Sequence, residues 1–356
     1  MILTKNKKLH TEKNMFLDEA VDIQRFDILK YPAIDKITEK QLGFFWRPEE
    51  VDISKDKKDF YNLTDFEQHI FTSNLKRQIV LDSVQGRAPN LAFLPIASLP
   101  EVETWIETWS FFETIHSRSY THIIRNIYPN PSVVFDSILD TKEITECGQD
   151  ISKYYEDLID QNHTQTSLMD HKRALWMALI AANALEGIRF YVSFACSWAF
   201  AELKQMEGNA KIIKLIARDE NLHLAASLNI IRTLIKDDKE FVQIKEETKD
   251  EVMQLFEDAL VQEEEWCDYL FGEGSMIGLN AELLKEYVRW IGAKRIKSLN
   301  YHVPFHTHLH NPLPWTEKWI SGGAVQVAPQ ETEITSYVVG GTKHDVDKKS
   351  FEGLSL

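Results

Sequence analysis

Two copies of the pattern Glu-x-x-His lie in apolar stretches of the chain, at Glu113 and His116 and at Glu220 and His223. A spacing of three residues puts the carboxylate and the imidazole of each pair on one face of a helix. A buried carboxylate is unfavourable unless it is paired or binds a metal. A single pair of this kind is more often a solvated face or a local hydrogen bond. Two pairs together indicate a metal site.

Paired Glu-x-x-His helices, with one carboxylate from each of two further helices, form the ligand set of di-iron and di-manganese carboxylate bundles. Two candidates complete that set. Asp82 is flanked by Ile79, Val80, Leu81 and Val84, and Glu186 stands among Ala184, Leu185, Ile188 and Phe190. The predicted metal ligands are therefore Asp82, Glu113, His116, Glu186, Glu220 and His223. Oxygen-rich ligation with one nitrogen per ion suits iron or manganese, and the absence of thiolates disfavours structural zinc.

Simpler explanations exist for both added carboxylates. Asp82 could be satisfied by solvent, by Arg77 or by Arg87, and Glu186 could form a buried salt bridge with Arg189. Metal ligation explains Glu186 better, because Arg189 would itself be buried.

Tyr120 lies four residues after His116, so its ring points along the ligand face of the same helix. The same spacing brings an apolar jacket around it, formed by Phe190, Phe194 and Ile216. A phenol beside an oxidising metal pair and shielded from water is well placed to become a stable radical. The commoner alternative is a buried tyrosine that bonds to a ligand carboxylate.

Length and composition favour a large, mainly helical protein. The 356 residues are 44% hydrophobic and include 11 prolines, most of them outside the periodic runs. The formal net charge of −15 argues against nucleic acid as a partner. Three widely spaced cysteines, with no CxxC pair, favour the reducing cytoplasm. No apolar leader or run of about 18 uncharged apolar residues is visible, so no membrane association is expected.

Periodicity and end signals predict the helices that position the site. One begins at a Thr64/Glu67 capping box and ends near Gly86, and the central one starts after Pro100. Others are expected over about 168–206, with a break or π-bulge near Gly187, and through the second Glu-x-x-His. Two more helices are expected over 239–271 and 281–300, and residues 129–165 are expected to form shorter helices and loops. The expected fold is an all-α, ferritin-like helical bundle with additional helices over 1–326 and a flexible tail over 327–356.

Several long segments resemble the small (β) subunit of class I ribonucleotide reductase, the tyrosyl-radical type. They are LDSVQGR, ETWSFFETIHSRSYTHIIRN, NALEGIRFYVSFACS, NAKIIKLIARDENLHL and GSMIGLN, and the likeness runs from FFWRPEEVD to VQVAPQETEITSYVVGG. The resemblance implies two iron ions in an oxo-bridged centre, with manganese as an alternative, that use O2 and a reductant to oxidise Tyr120.

The same resemblance implies roles for further residues. On the sequence alone, Trp46 is better explained as a core anchor for a docked loop. By the resemblance, Trp46 and Asp219 match the family's radical-transfer relay, in which Asp219 reaches His116. Tyr337 matches the tyrosine that carries the radical to a separate large (α) subunit. Glu331 matches an acid in the tail that assists this tyrosine. The final SFEGLSL resembles the tail that docks on that subunit, and a homodimer is implied.

Three other functions share parts of this pattern. A di-iron oxygenase would want a substrate pocket where the apolar jacket lies. A ferritin-like ferroxidase has no use for a tyrosine-bearing tail, and a purely structural bundle leaves Glu186 without a partner. The His-rich tract with His302, His306, His308 and His310 is a weaker metal candidate, because three prolines interrupt it and no carboxylate is close in sequence.

Overall fold

The computed structural model describes residues 3–320, and within that range the protein is built from helices. No strand forms there; two isolated bridges join Phe16 to Ala97 and Met276 to Leu279. The predicted all-α class is therefore confirmed for the described residues. The predicted boundary between residues 326 and 327 lies outside them and stays a prediction.

Fourteen α-helices and one π-helical turn follow one another along residues 3–320. Their bounds are α1 Pro32–Gly43, α2 Asp56–Asn62, α3 Asp65–Gln85, α4 Ala88–Ala92, α5 Pro100–Ile127, α6 Ser132–Phe135, α7 Lys142–His163, α8 Leu168–Ala184, the π-turn Leu185–Arg189, α9 Tyr191–Glu202, α10 Glu207–Asp237, α11 Lys239–Glu247, α12 Lys249–Phe271, α13 Ala281–Ser298 and α14 Glu317–Ile320. Short 3-10 turns occur at His10–Glu12, Pro48–Glu50, Leu94–Ile96, Ile138–Asp140 and Pro314–Thr316.

The bundle that holds the candidate site is formed by four long elements: α3, α5, α10 and the stretch made of α8, the π-turn and α9. Helix α3 packs against α5 and α9, and α10 packs against α5, α8 and α9. Helices α1, α7, α12 and α13 surround this bundle and share its hydrophobic core. The core is continuous from the N-terminal segment to Leu313.

Local signals fix the starts of two bundle helices. The Thr64 hydroxyl accepts from the Glu67 N–H at 3.2 Å, and the Glu67 carboxylate accepts from the Thr64 N–H at 2.9 Å, so the predicted capping box is present. Helix α5 begins at Pro100, with Glu101 and Glu103 in its first turn, where acidic groups complement the helix dipole.

The apolar stretch from Leu168 to Glu202 is interrupted at the predicted place. A π-turn over Leu185–Arg189 separates α8 from α9, and Gly187 lies within it. Arg295 packs against this glycine and donates from Nε to the Gly187 carbonyl at 3.0 Å. Length and composition alone would let this stretch cross a membrane, but the apolar window is entirely buried inside the protein. It is a core element.

Two expectations about peripheral helices were wrong. The helix expected over 239–271 is divided at Thr248 into α11 and α12, and the buried Thr248 hydroxyl donates to the Ile244 carbonyl at 2.7 Å. The segment 129–165 contains α7, a helix of 22 residues. Its buried positions, including Cys147, Ile151 and Tyr155, recur every three or four residues, but many polar residues between them hide the pattern.

Candidate metal centre

All six predicted ligands meet in the middle of the bundle. Asp82 comes from α3, Glu113 and His116 from α5, Glu186 from the π-turn, and Glu220 and His223 from α10. None is more than 1% exposed. They form two overlapping groups whose ligand atoms lie within 4.8 Å of one another: Asp82, Glu113, His116 and Glu220 in one, and Glu113, Glu186, Glu220 and His223 in the other.

Glu113 and Glu220 belong to both groups, and each directs one oxygen to each histidine. His116 Nδ1 lies 3.2 Å from Glu113 Oε2 and 3.3 Å from Glu220 Oε1. His223 Nδ1 lies 2.9 Å from Glu113 Oε1 and 3.2 Å from Glu220 Oε2. The two remaining carboxylates serve one side each, with Asp82 Oδ2 3.9 Å from His116 Nδ1 and Glu186 Oε2 3.2 Å from His223 Nδ1. Two cations could therefore share two carboxylates.

Electrostatics show that this set is incomplete without cations. Among residues 3–320, neither oxygen of Asp82 accepts a hydrogen bond, although the side chain is fully buried. Burial, reinforced by the charges of Glu113 and Glu220, raises the pKa of Asp82 well above its usual value. Burial and the charge of Glu220 raise the pKa of Glu186 in the same way. The donor set fits a pair of divalent ions, which would supply the missing positive charge.

The surrounding carboxylates raise the pKa of both histidines. Burial by itself would lower the pKa of His116, but hydrogen bonds to Asp219, Glu113 and Glu220 outweigh it and raise that pKa well above its usual value. Burial is likewise outweighed at His223, where Glu186 and Glu113 raise the pKa. Both imidazoles therefore lie in a strongly negative environment, as ligands of cations do.

Two of the simpler partners considered for Asp82 and Glu186 are engaged elsewhere. Arg77 pairs with the buried Glu263 of α12. Arg189 reaches Asp150 Oδ2 at 3.2 Å and also bonds to Gln262. The salt bridge between Glu186 and Arg189 is thus not formed.

A hydrogen-bond network around Glu186 was not predicted. Trp109 Nε1 donates to Glu186 Oε1 at 2.8 Å and lies 3.1 Å from Glu113 Oε1. Gln85 Nε2 donates to the same Glu186 oxygen at 2.5 Å and is held by the Tyr155 hydroxyl at 2.8 Å. Two helical spacings in the sequence point to this network: Gln85 lies three residues after Asp82, and Trp109 lies four residues before Glu113. These groups orient the carboxylate.

Tyr120 is fully buried beside the first group of ligands. Burial and then the charge of Asp82 raise the pKa of its phenol well above the usual value. The hydroxyl makes no hydrogen bond within the described part of the chain. Phe190, Phe194 and Ile216 are fully buried as well, and the two phenylalanine rings stack with centroids 5.6 Å apart. Their enclosure of Tyr120 stays a prediction.

Trp46, Asp219 and His116 form a continuous chain of contacts. Trp46 Nε1 donates to Asp219 Oδ2 at 2.7 Å, and His116 Nε2 lies 3.3 Å from the same oxygen. All three side chains are fully buried. The chain leads from the loop before α2 to a predicted metal ligand. Glu331 and Tyr337, which were expected to extend it, lie outside the described residues.

The His-rich tract makes no comparable cluster in residues 3–320. His308 Nε2 lies 3.3 Å from Glu286 Oε2, and both side chains are about half exposed. No group of metal-ligating atoms is found there.

A helical bundle that buries four carboxylates and two histidines between its helices is a ferritin-like carboxylate protein. The family model "Ribonucleotide reductase, small chain" matches residues 24–312. The chain belongs to this family. It is the radical-generating small subunit of an oxidoreductase that reduces ribonucleotides.

Relatives and solved structures agree with this assignment. The beta subunit of ribonucleoside-diphosphate reductase from Haemophilus influenzae is 50% identical, over 99% of this chain and 98% of that protein. The R2 subunit of ribonucleotide reductase from Clostridium botulinum has a TM-score of 0.77 at 24% identity and covers 90% of this chain and 99% of that one. The dimanganese(II) NrdF of Streptococcus sanguinis has a TM-score of 0.68 at 19% identity, covering 85% and 99%. At these identities the two structures support the fold alone.

Proposed function

We propose that the six-residue centre binds two iron ions, and that Tyr120 is oxidised there to a stable radical that is passed to the large subunit of ribonucleotide reductase. When bound, the metal pair would supply the electrons and the Lewis acidity for dioxygen activation. The observation that carries the proposal is the sharing of Glu113 and Glu220 between the two histidines. A shared pair of carboxylates holds two ions close together, which a single-ion site does not need.

Tyr120 would lose one electron and one proton. Among the carboxylates of the centre, Asp82 interacts most strongly with the phenol through its charge, so we assign the phenolic proton to the Asp82 carboxylate. The full burial of Tyr120 excludes water and soluble reductants, which would otherwise quench a phenoxyl radical.

Trp46 and Asp219 would carry the radical between the centre and the surface. The Asp219 carboxylate accepts the Trp46 indole N–H, so it can take that proton when the indole is oxidised and return it afterwards. The sequence resemblance extends this route through Tyr337, assisted by Glu331, in the tail. A tail that orders on the large subunit would give a reversible contact. We further propose that the protein acts as a homodimer in the cytoplasm.

The primary experiment loads metal-free protein with ferrous iron under argon, admits air and records the electron paramagnetic resonance spectrum. We expect two irons per chain and a tyrosyl signal that Tyr120→Phe removes while iron binding is kept. Tyr287→Phe is the matched control, since Tyr287 is also fully buried but lies in α13. Iron uptake with no tyrosyl signal in the wild type would instead favour an oxygenase or a ferroxidase.

Manganese is tested in the same assay. The donor set suits both ions, and one protein of this fold is described as a dimanganese(II) protein. Loading with Mn²⁺ in air should give no tyrosyl signal if iron is the working metal. A signal with manganese alone would reverse the assignment.

The tail is tested by removing residues 337–356 and by Tyr337→Phe. Both variants should bind iron and form the Tyr120 signal, and both should lose turnover with the large subunit. The truncation should also lose binding to that subunit, whereas Tyr337→Phe should keep it. Unchanged turnover in either variant would contradict the role of the tail.

A further inference from the structure

Arg295 of α13 contacts the π-turn that carries Glu186. Its Nε donates to the Gly187 carbonyl at 3.0 Å, and its Nη2 donates to the Tyr191 hydroxyl at 2.8 Å. The guanidinium carbon also lies 5.2 Å from the centroid of the Tyr191 ring. A helix that carries no ligand thus holds the π-turn together with the first residue of α9.

Gly187 allows this close approach. A Cβ at that position would lie 3.1 Å from Arg295 Cδ and 3.2 Å from its Cγ and Nε, closer than Cβ atoms usually come to other atoms. Glycine also leaves the backbone with wide conformational freedom. The residue after Glu186 therefore does little to fix the turn by its own sterics, and the hydrogen bond from Arg295 supplies a restraint from outside.

The backbone of the π-turn decides where the Glu186 carboxylate lies. Successive residues of a regular α-helix are rotated by about 100°, so a change from π to α geometry would rotate Glu186 by about that angle relative to one flanking helix. Glu186 Oε2 lies 3.2 Å from His223 Nδ1, and Oε1 accepts from Trp109 at 2.8 Å. Such a rotation would take the carboxylate away from both partners.

Tyr191 extends the restraint to α10. The Tyr191 side chain is buried, and its hydroxyl lies 3.4 Å from Asn221 Oδ1. Asn221 directly follows Glu220 in the sequence. The contacts of Arg295 therefore connect the two elements that carry Glu186 and Glu220.

We propose that Arg295 is a positioning residue for Glu186, and that it holds the π-turn so that this carboxylate reaches the ligand group that contains His223. The inference rests on the metal binding proposed above. Glu186 belongs to the group that contains His223 and not to the group that contains Asp82. Loss of the Arg295 hydrogen bonds should therefore weaken one ion and spare the other.

The first test titrates metal-free, full-length protein with ferrous iron under argon and records near-infrared magnetic circular dichroism, which reports the ligand geometry of each ion. Arg295→Met keeps most of the apolar stem and removes both donors. We expect this variant to bind one ion as tightly as the wild type and the other about 10–100-fold more weakly, with the ligand-field bands of only one ion changed.

Arg289→Met is the matched control for that titration. Arg289 lies in the same helix, but its guanidinium pairs with Glu257 at 2.8 Å and with Glu264 at 2.5 Å, both in α12. The control loses two ion pairs, so it can lose stability, yet it should bind both ions as the wild type does.

The second test needs no metal. Hydrogen–deuterium exchange of the metal-free protein, measured by mass spectrometry, should be faster in Arg295→Met than in the wild type for peptides that cover the π-turn Leu185–Arg189. Peptides from α3 and α5 should be unchanged. A general loss of stability would speed exchange in all of these helices, so faster exchange confined to the π-turn supports the restraint.

A double substitution tests the contact itself. Gly187→Ala should weaken the same ion, because its methyl group displaces the Arg295 side chain, so it also tests the proposal if Arg295→Met does not fold. In an Arg295→Ala background, Gly187→Ala should add little further loss, because the displaced atoms are absent. Additive losses would mean that the two residues act separately and would overturn the proposal.

The outcomes separate the role of Arg295 from the function on which it rests. Tight binding of both ions in Arg295→Met, or equal weakening of both, would overturn the positioning role. An equal loss in Arg289→Met, or unchanged exchange at the π-turn, would do the same. Failure of the wild-type protein to bind iron would instead overturn the proposed function, and exchange in the metal-free protein would still decide whether Arg295 restrains the turn.

Discussion

Trp46 donates its indole N–H to Asp219 at 2.7 Å, and the accepting oxygen is the one that faces His116. A single buried atom thus connects a loop tryptophan to a ligand of the candidate centre. Arg218 lies 3.3 Å from the other Asp219 oxygen, which fixes the orientation of the carboxylate. The Asp219 carboxylate therefore orients the His116 ring and also joins that ring to the proposed transfer route.

Asp219→Asn should keep iron binding and the Tyr120 signal but lower turnover with the large subunit by about 10–100-fold, the usual effect of losing a group that orients a metal ligand. The amide has nearly the same shape but is far too weak a base to take the Trp46 proton. Asp237→Asn, at the exposed end of the same helix, is the control. Loss of iron in Asp219→Asn would mean that the carboxylate is structural, and full turnover would refute its role in transfer.

Glu220→Gln and Asp82→Asn should differ in how many ions they affect. Glu220 faces both histidines, so removal of its charge should weaken both sites, whereas Asp82 belongs to one group. In anaerobic iron titrations we expect Asp82→Asn to keep one tight equivalent and Glu220→Gln to keep none. Glu207→Gln, in the first turn of the same helix, should behave as wild type. Equal losses in the two ligand variants would show that the carboxylates are not shared as described.

The ligands of the centre were predictable because helical spacing is local. Each Glu-x-x-His pair shares a face by arithmetic alone, and an acid such as Glu186 in a wholly apolar run is conspicuous. The hydrogen bond of Gln85 to that acid, and that of Tyr155 to Gln85, depend on how α3 and α7 pack, which no local pattern encodes. The same holds for Glu263, whose partner Arg77 is 186 positions away.

Gly208→Ala should destabilise the protein, because α10 begins in close contact with the chain before α2. A Cβ at Gly208 would lie 2.8 Å from the Asp52 carbonyl oxygen and from Ile53 Cα. Backbone cannot yield as a flexible side chain can, so we expect a loss of about 1–3 kcal/mol. The gain in helix propensity, at most about 1 kcal/mol, is smaller at a helix end.

Gly43→Ala is the matched control for that substitution. It also lies at a helix end, and a Cβ there would meet no atom within 4 Å. Thermal unfolding of the two variants should therefore show a clear loss at position 208 and little or no loss at position 43. Equal melting temperatures would contradict the close approach.

Asp56 should make stability fall as pH rises through the acid range. Its carboxylate accepts the backbone N–H groups of Gly208 at 3.1 Å and Asn209 at 2.5 Å, yet burial dominates and raises its pKa from 3.8 to about 6. Between these values the folded protein binds more protons at this group than the unfolded chain does, so its contribution is present at low pH and is lost as the pH rises.

The comparison with Asp56→Asn isolates this group from the many other carboxylates. The free energy of unfolding of the wild type minus that of Asp56→Asn, from urea titrations, should fall as pH rises from about 4 to about 6 and then level off, with a total change on the order of 1–3 kcal/mol. Asp65→Asn, in the first turn of α3, is the control for loss of a carboxylate charge at a helix start. A difference that rises over this range would mean that the two N–H groups outweigh burial and that the pKa of Asp56 lies below its usual value.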